Sequence, residues 1–359
     1  MTETGLPNPS PPELPGGPVA TRGSLPIALG TASVMVVFFG LKEASTVALP
    51  AVFSIFLGIL AWPMLQGLTR LRVPRVAAVP LVVLTVTAAL VGIVALLGSL
   101  LADFTSALPQ YQARLASTMT GVQTQLVDLG MPEDFKLLSL ADPAEVLNIA
   151  GRGLRGVVGA LSNTLLVMLL LLFVLVEGFG LPQKLRRAIT DDQVIGRVEG
   201  FSASIQRYLL IKTGTSALTG VSIATGLAAV GLDFPLLWGL GAFFLNFIPS
   251  VGSIIAALPA IVLALVQFGW GGALGVMLLF LVVNVAIGNL LEPRIMGDEL
   301  GLSPLVVLLS LLVWGWTWGP LGMLLAVPMT VIVKLMLELR DDTHWIAVMM
   351  GSAPKGEEA

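Results

Sequence analysis

The chain of 359 residues contains no cysteine and a single histidine, His344. Disulfides and thiolate chemistry are therefore excluded, and metal clusters or histidine-based catalytic triads lack their usual side chains. Charged residues make up only 11% of the chain and the net charge is −3, so no basic surface for nucleic acid is expected. The sequence also lacks a Walker motif and a glycine-rich phosphate loop. We therefore expect no enzyme, no cofactor, no metal site and no nucleic-acid partner.

Apolar residues are abundant instead. They form 56% of the chain, and the mean hydropathy is +0.93. Several apolar runs exceed the ~18 residues that mark a transmembrane helix, since a helix must cross about 30 Å of hydrocarbon. The sequence therefore predicts an all-α integral membrane protein, a polytopic helical bundle whose first partner is the lipid bilayer.

Two long apolar stretches near the C-terminus, 231–265 and 300–334, resemble each other. A shift of 69 positions places Pro235 on Pro304 and Pro259 on Pro328. Each stretch is interrupted near its midpoint by proline, glycine or serine. The arm 235–248 holds 14 residues, about 21 Å of helix, which is too short for a full crossing. This pattern predicts two re-entrant hairpins, with two kinked transmembrane helices as the alternative.

Basic residues set the predicted orientation. The loop from Arg70 to Arg75 and the segment from Lys184 to Lys212 hold the densest lysines and arginines, which favours the cytoplasmic side for both and for the two termini. The resulting segments are a disordered, proline-rich tail (1–25), three scaffold spans (26–101), an extracytoplasmic amphipathic insertion divided by prolines such as Pro109 (102–155), a fourth span with a basic segment (156–211), an inverted-repeat transport domain (212–340) and a C-terminal tail (341–359).

Within 212–340, a helix followed by a hairpin occurs twice and is entered from opposite sides of the membrane. Such an inverted repeat beside a non-repeated N-terminal half is typical of a moving transport unit on a scaffold, as in elevator-like transporters.

Several motifs resemble those of the autoinducer-2 exporter family. They are Asn246-Phe-Ile-Pro249-Ser-Val-Gly252, Leu291-Glu292-Pro293-Arg294-Ile-Met-Gly297 and Trp318-Gly-Pro-Leu-Gly322, and the resemblance covers nearly all of 26–340. It implies a multi-pass secondary transporter of the bacterial inner membrane that forms homo-oligomers, pentamers among them. Members are associated with export of the quorum-sensing furanone autoinducer-2, and some with sodium/proton antiport.

The two breaks hold the predicted substrate-binding residues. A broken helix leaves backbone N–H and C=O groups without partners, and a small polar solute or a Na⁺ ion can use them. The alternative is that the side chains only satisfy the broken backbone. The candidates are Asn246, Pro249, Ser250, Gly252, Ser253, Thr317, Gly319, Pro320 and Gly322.

Three further residues lie near the end of the predicted span 270–291 or just after it: Asn289, Glu292 and Arg294. Glu292 is a candidate proton-coupling carboxylate, because an ionised group deep in the bilayer is costly and seldom lacks a function. The alternative is an interfacial ion pair that positions the second hairpin.

Three functional hypotheses follow. The first is a secondary transporter that exports a small polar solute such as autoinducer-2 by alternating access. The second is a Na⁺/H⁺ antiporter, and the third is a channel-forming oligomer.

Overall fold

The structure is a computed structural model that describes residues 24–128, 143–161, 164–188, 191–249, 251–296 and 301–351. The regular elements in these ranges are all helices, as predicted for an all-α membrane protein. Five of these helices are long and apolar enough to cross a bilayer, or six if one bent pair counts as a single span. The chain divides into two units at Glu43 and Ala44. The first unit contains the apolar helix α1 (Ser24–Glu43).

The second unit begins with α2 (Ser45–Arg70) and α3 (Arg75–Asp128). The predicted division of the insertion at Pro109 is wrong, because α3 continues through this proline for 54 residues in all. A proline inside a helix costs about 3 kcal/mol. Here an apolar face crosses the proline and is buried against the C-terminal helices on both sides of it, through Leu97, Leu101, Phe104 and Tyr111.

The next helices are α4 (Pro143–Leu161), α5 (Thr164–Gly178) and α6 (Leu181–Ala188), with a bend of 58° between the last two. The predicted fourth span therefore begins later than Gly156. Residues 156–161 of that predicted span belong to α4. α4 is amphipathic and packs on the C-terminal helices through Leu147 and Leu154. α5 packs on α2, where a Cβ at Gly58 would lie 2.7 Å from Val174 Cγ1.

The C-terminal half begins with the 39-residue helix α7 (Asp192–Val230), followed by α8 (Pro235–Leu245) and α9 (Gly252–Val283). α7 and α8 cross closely, since a Cβ at Gly239 would lie 2.7 Å from the carbonyl oxygen of Gly220. The helical geometry of α9 is interrupted at Gly269. Its φ of +70° lies in the left-handed region, which glycine adopts readily and other residues adopt only with strain.

The chain folds back between α8 and α9. The backbone N–H of Asp233 donates to Oε1 of Gln267 at 3.1 Å, although the two residues are 34 positions apart. A straight helix of that length would separate them by about 50 Å. The break therefore lies at the tip of a helical hairpin whose two ends meet, which we name the first fold-back (residues 233–267).

A second fold-back (residues 301–334) follows a π-helix (Asn284–Leu291) and the short helix α10 (Glu292–Met296). It lies in α11 (Pro304–Glu338), whose helical geometry is interrupted at Trp318 and Gly319. Its ends meet where Lys334 Nζ donates to the carbonyl oxygen of Gly301 at 2.8 Å. A 3₁₀ turn (Asp341–Thr343) and α12 (His344–Met349) end the described chain.

Candidate functional site

One face of α7 is polar and buried, which is costly within an apolar bundle unless each group has a partner. Lys212, Thr215, Ser216 and Thr219 follow the helical spacing i, i+3, i+4 and i+7. Each is at most 7% exposed. Sequence reasoning missed these four residues, and their spacing within a glycine-, serine- and threonine-rich segment is the signal that would have identified them.

Glu292 belongs to this face. Lys212 Nζ donates to Glu292 Oε1 at 2.6 Å, and Thr215 Oγ1 lies 3.3 Å from Oε2. The side chains of Lys212 and Glu292 are 5% and 16% exposed, so this ion pair, which joins α10 to α7, is buried at Lys212 and partly buried at Glu292. Removing one partner of such a pair leaves an uncompensated charge, at a cost of about 3–5 kcal/mol.

The ion-pair alternative anticipated a salt bridge at Glu292, but Arg294, the neighbouring cation, is not the partner. Arg294 is exposed on α10. Residues two positions apart on a helix do not face each other, so the two side chains diverge. Asn289 is likewise exposed, on the π-helix that precedes Glu292. Single π-helical turns occur frequently at functional sites.

Asn246 lies at the tip of the first fold-back and contacts the same face of α7. Its side chain is 7% exposed, and Nδ2 donates to Ser216 Oγ at 3.0 Å. Asn246, Ser253, Thr219 and Asn284 line a pocket together with apolar side chains. Its volume of about 10 Å³ is near the lower limit for one water molecule. The pocket is thus closed to any larger solute.

In both fold-backs a glycine lies directly against a backbone carbonyl of the opposite arm. A Cβ at Gly252 would lie 1.8 Å from the carbonyl oxygen of Leu245, and one at Gly322 would lie 2.0 Å from that of Trp314. Leu245 and Trp314 are 69 positions apart, which is the shift that aligns the two stretches, whereas Gly252 and Gly322 are 70 positions apart. The third glycine of the candidate set, Gly319, makes the break itself with a φ of +64°.

At the tip of the second fold-back, Thr317 is 4% exposed and its hydroxyl donates to Val313 O at 2.8 Å, within its own helix. Trp314 Nε1 donates to Thr330 Oγ1 at 3.1 Å and joins the two arms. Pro320 is exposed and lies 3.6 Å from a Cβ built at Gly156 of α4. The Thr317 hydroxyl therefore donates to a carbonyl of its own helix. This is what we expect if the side chains at the breaks only satisfy the broken backbone.

The remaining candidates at the first break are Pro249 and Ser250. Pro249 is partly buried in the turn, where its carbonyl oxygen accepts from the N–H of Val251 at 2.6 Å. Ser250 lies outside the described residues.

The base of the first fold-back is held by Asp233. Its carboxylate accepts hydrogen bonds from the hydroxyl of Tyr111 at 2.5 Å and from the amide of Gln267. Its carbonyl oxygen accepts from Trp238 Nε1 at 3.2 Å. Asp233 is exposed, as a solvated acid ahead of a helix would be, and it also joins α3 to both ends of the fold-back.

Long apolar helices, a buried polar face and paired helix breaks define a polytopic membrane protein of the transporter class. The model of the family described as "AI-2E family transporter" matches residues 31–340. The chain is 37% identical over 345 residues to "AI-2 transport protein TqsA" of Escherichia coli (strain K12), covering 94% of this chain and 99% of that protein. The chain therefore belongs to the AI-2E transporter family.

Two further relatives carry less specific descriptions. The chain is 34% identical to "Putative transport protein" of Haemophilus influenzae, with 90% of this chain and 95% of the relative covered. It is 33% identical to "Putative transport protein YhhT" of Escherichia coli (strain K12), with 93% and 96% covered. The chain is thus a multi-pass membrane protein of a bacterial transporter family.

Proposed function

We propose that the protein is an inner-membrane secondary transporter that exports a small polar solute by alternating access. Autoinducer-2 is the solute to test first, because the relative TqsA is described as an AI-2 transport protein. The observation that carries the proposal is the polar face of α7, which leads to a helix break. A long buried polar face is expensive in a membrane protein and marks a solute or ion pathway.

The polar face of α7 begins near the basic end of the helix. Arg197, Ser204 and Glu338 supply the polar side chains of a pocket of about 280 Å³ there, between α7 and the last turns of α11. From that pocket the face continues through Tyr208 and Lys212 to Thr219, at the helical spacing of three or four residues. We propose that a solute enters at this pocket and moves along α7 towards Asn246.

Both fold-backs are proposed to be re-entrant and related by an inverted repeat. Three features support this: the ends of each fold-back meet, their tips coincide with the proline and glycine breaks, and the glycine contacts recur with shifts of 69 residues for the carbonyls and 70 for the glycines. The positive-inside rule favours the cytoplasm for the basic segments and both termini. The base of the first fold-back and the insertion 102–155 would then be extracytoplasmic.

The substrate site is proposed at the tips of the fold-backs, among the candidate residues of the two breaks. The pocket at Asn246 holds only about 10 Å³, so a solute can bind there only after the first fold-back moves relative to α7. A hinge within residues 212–340, between α7 and the first fold-back, supplies that opening, and movement of 212–340 against a scaffold of 26–101, in an elevator-like manner, then carries the solute across. We further propose that the protein acts as a homo-oligomer, with a pentamer as the form to test.

Glu292 is the proposed coupling group, with Asn289 and Arg294 beside it. Protonation of Glu292 would neutralise its charge and release Lys212 and Thr215, so proton binding is linked to the contact between α10 and α7. The same pair is the one feature that favours the second candidate function, Na⁺/H⁺ antiport, since an ion alone can be exchanged at a buried carboxylate.

Uptake into inverted membrane vesicles tests the proposal. Vesicles that contain the protein should accumulate autoinducer-2 when a proton or sodium gradient is imposed, and Asn246→Leu should abolish accumulation because it removes the amide that contacts α7. Asn148→Leu is the matched control, since this asparagine lies on α4, outside the fold-backs and the proposed coupling group. Sodium-dependent proton movement without any organic solute would favour antiport instead. Full uptake by Asn246→Leu would remove the site from the first tip.

A further inference from the structure

An apolar cavity of about 300 Å³ lies between the N-terminal helices and the two fold-backs, within the unit that begins at Ala44. α3 contributes Ala89 and Leu90, α8 and the turn after it contribute Phe243 and Phe247, and α11 contributes Leu324. Among the described residues that line it, only Thr213 carries a polar side-chain atom. The cavity is therefore separate in chemistry from the polar face of α7.

Water is a poor occupant of this cavity. A buried water molecule needs two to four polar partners, and cavities lined by leucine and phenylalanine stay dry. An empty cavity is also unfavourable, because the side chains that line it lose dispersion contacts on one side. At about 300 Å³, the cavity is as large as a small-molecule binding site. An apolar molecule is therefore a more favourable occupant of this cavity than water or empty space.

The cavity opens towards the outer surface of α3. Ala89 on its rim is exposed, and Leu96, seven residues further along the same face of α3, is exposed and apolar. Leu84 and Val91, on the opposite face of α3, are exposed as well. α3 is long and apolar enough to cross the membrane, so this surface faces hydrocarbon. Lipid tails are the apolar groups present at high concentration at that depth.

We propose that one acyl chain of a membrane phospholipid enters between α2 and α3 and the fold-backs and fills this cavity. The chain then packs against Phe243 of the first fold-back and Leu324 of the second. The acyl chain can rearrange when the fold-backs move relative to α2 and α3. Contacts between fixed side chains in the same place would have to break at each such movement. The binding itself requires no transport activity.

Photolabelling of the full chain in nanodiscs tests this proposal. The nanodiscs contain a phospholipid with a photoactivatable diazirine near the middle of one acyl chain, and labelled peptides are mapped by mass spectrometry. We expect adducts on the peptides that contain Phe243, Phe247 and Leu324. Ala89→Trp should reduce these adducts several-fold because the indole occupies the cavity. Ala88→Trp is the matched control, since Ala88 is the adjacent exposed alanine and does not line the cavity.

Both variants should keep the thermal unfolding midpoint and the monodispersity of the parent chain. If Ala89→Trp fails this criterion, Leu90→Phe narrows the same cavity with a smaller change. Adducts confined to the outward residues Leu84 and Val91 would overturn the proposal. Equal labelling of the cavity residues in the Ala89 and Ala88 variants would overturn it as well, and so would a non-lipid molecule bound to the purified chain in native mass spectrometry.

Discussion

The hydroxyl of Tyr111 donates a hydrogen bond of 2.5 Å to the carboxylate of Asp233, 122 positions further along the chain. Tyr111 lies on α3 beyond residue 101, where the third predicted span ends, and Asp233 begins the first fold-back. Gln267, at the other end of that fold-back, donates to the same carboxylate oxygen. One carboxylate thus joins the outer part of α3 to both ends of the hairpin.

The first prediction concerns this hub. Tyr111→Phe should lower the free energy of unfolding by about 0.5–1.5 kcal/mol, because it removes one hydrogen bond and little volume. Asp233→Asn should cost more, since it affects two donors. In the double variant the effects should be less than additive, which thermal unfolding of the four proteins would measure. Additive effects would show that Tyr111 and Asp233 do not interact.

The proline and glycine breaks could be predicted from the sequence because their signal is local. Pro249 to Gly252 and Gly319 to Gly322 interrupt apolar runs that are otherwise uniform, and proline and glycine both disfavour a continuous helix. The partners of Asp233 have no such signal, since Tyr111 is 122 positions away and any solvated acid before a helix has the same local sequence.

The polar face of α7 escapes sequence reasoning for a different reason. α7 runs for 39 residues without a break, so the composition does not mark where its exposed basic part ends and its buried part begins. By sequence Lys212 belongs to the cytoplasmic basic segment, although it is 4% exposed in the structure. The burial of Lys212 depends on Glu292, which lies 80 positions later.

The second prediction concerns this buried pair. Lys212→Met and Glu292→Gln should each destabilise the protein by about 3–5 kcal/mol, because each leaves a buried group without its partner. The double variant Lys212→Met/Glu292→Gln should recover most of that loss, which denaturation in detergent would reveal. Arg294→Ala is the control and should change stability by less than about 0.5 kcal/mol, because Arg294 is exposed. If Arg294→Ala, and not Lys212→Met, restored the stability of the Glu292→Gln variant, the pairing of Lys212 with Glu292 would be contradicted.

The third prediction separates coupling from structure at the same carboxylate. If Glu292 carries the coupling proton, a folded Glu292→Gln variant should lose the pH dependence of net solute transport and keep exchange of solute across equal concentrations. Transport into proteoliposomes at several pH values measures both. A well-folded variant that keeps the parent pH profile would leave Glu292 with a structural role alone.

The fourth prediction concerns the glycines at which the arms meet. Gly252→Ala and Gly322→Ala should each destabilise the protein by at least about 1–3 kcal/mol, because the added Cβ meets a backbone carbonyl that cannot move freely. Gly275→Ala is the control: a Cβ there meets nothing within 4 Å, and alanine in a helix is slightly favourable. Equal melting temperatures for all three variants would contradict the close approach of the arms.

The last prediction tests whether the fold-backs are re-entrant. The chain has no cysteine, so single cysteines can be introduced without removing a background. Cysteines at Asp233 and Phe268, the two ends of the first fold-back, should both react with a membrane-impermeant thiol reagent added outside the cell. Cysteines at Ser303, near the first end of the second fold-back, and at Leu339, beyond its other end, should react only when the reagent reaches the cytoplasmic side. A reporter fused at Gln123 in the insertion should be extracytoplasmic, on the same side as Asp233. Two kinked transmembrane helices would instead place Asp233 and Phe268 on opposite sides, and that labelling pattern would exclude both the re-entrant arrangement and the inverted repeat built on it.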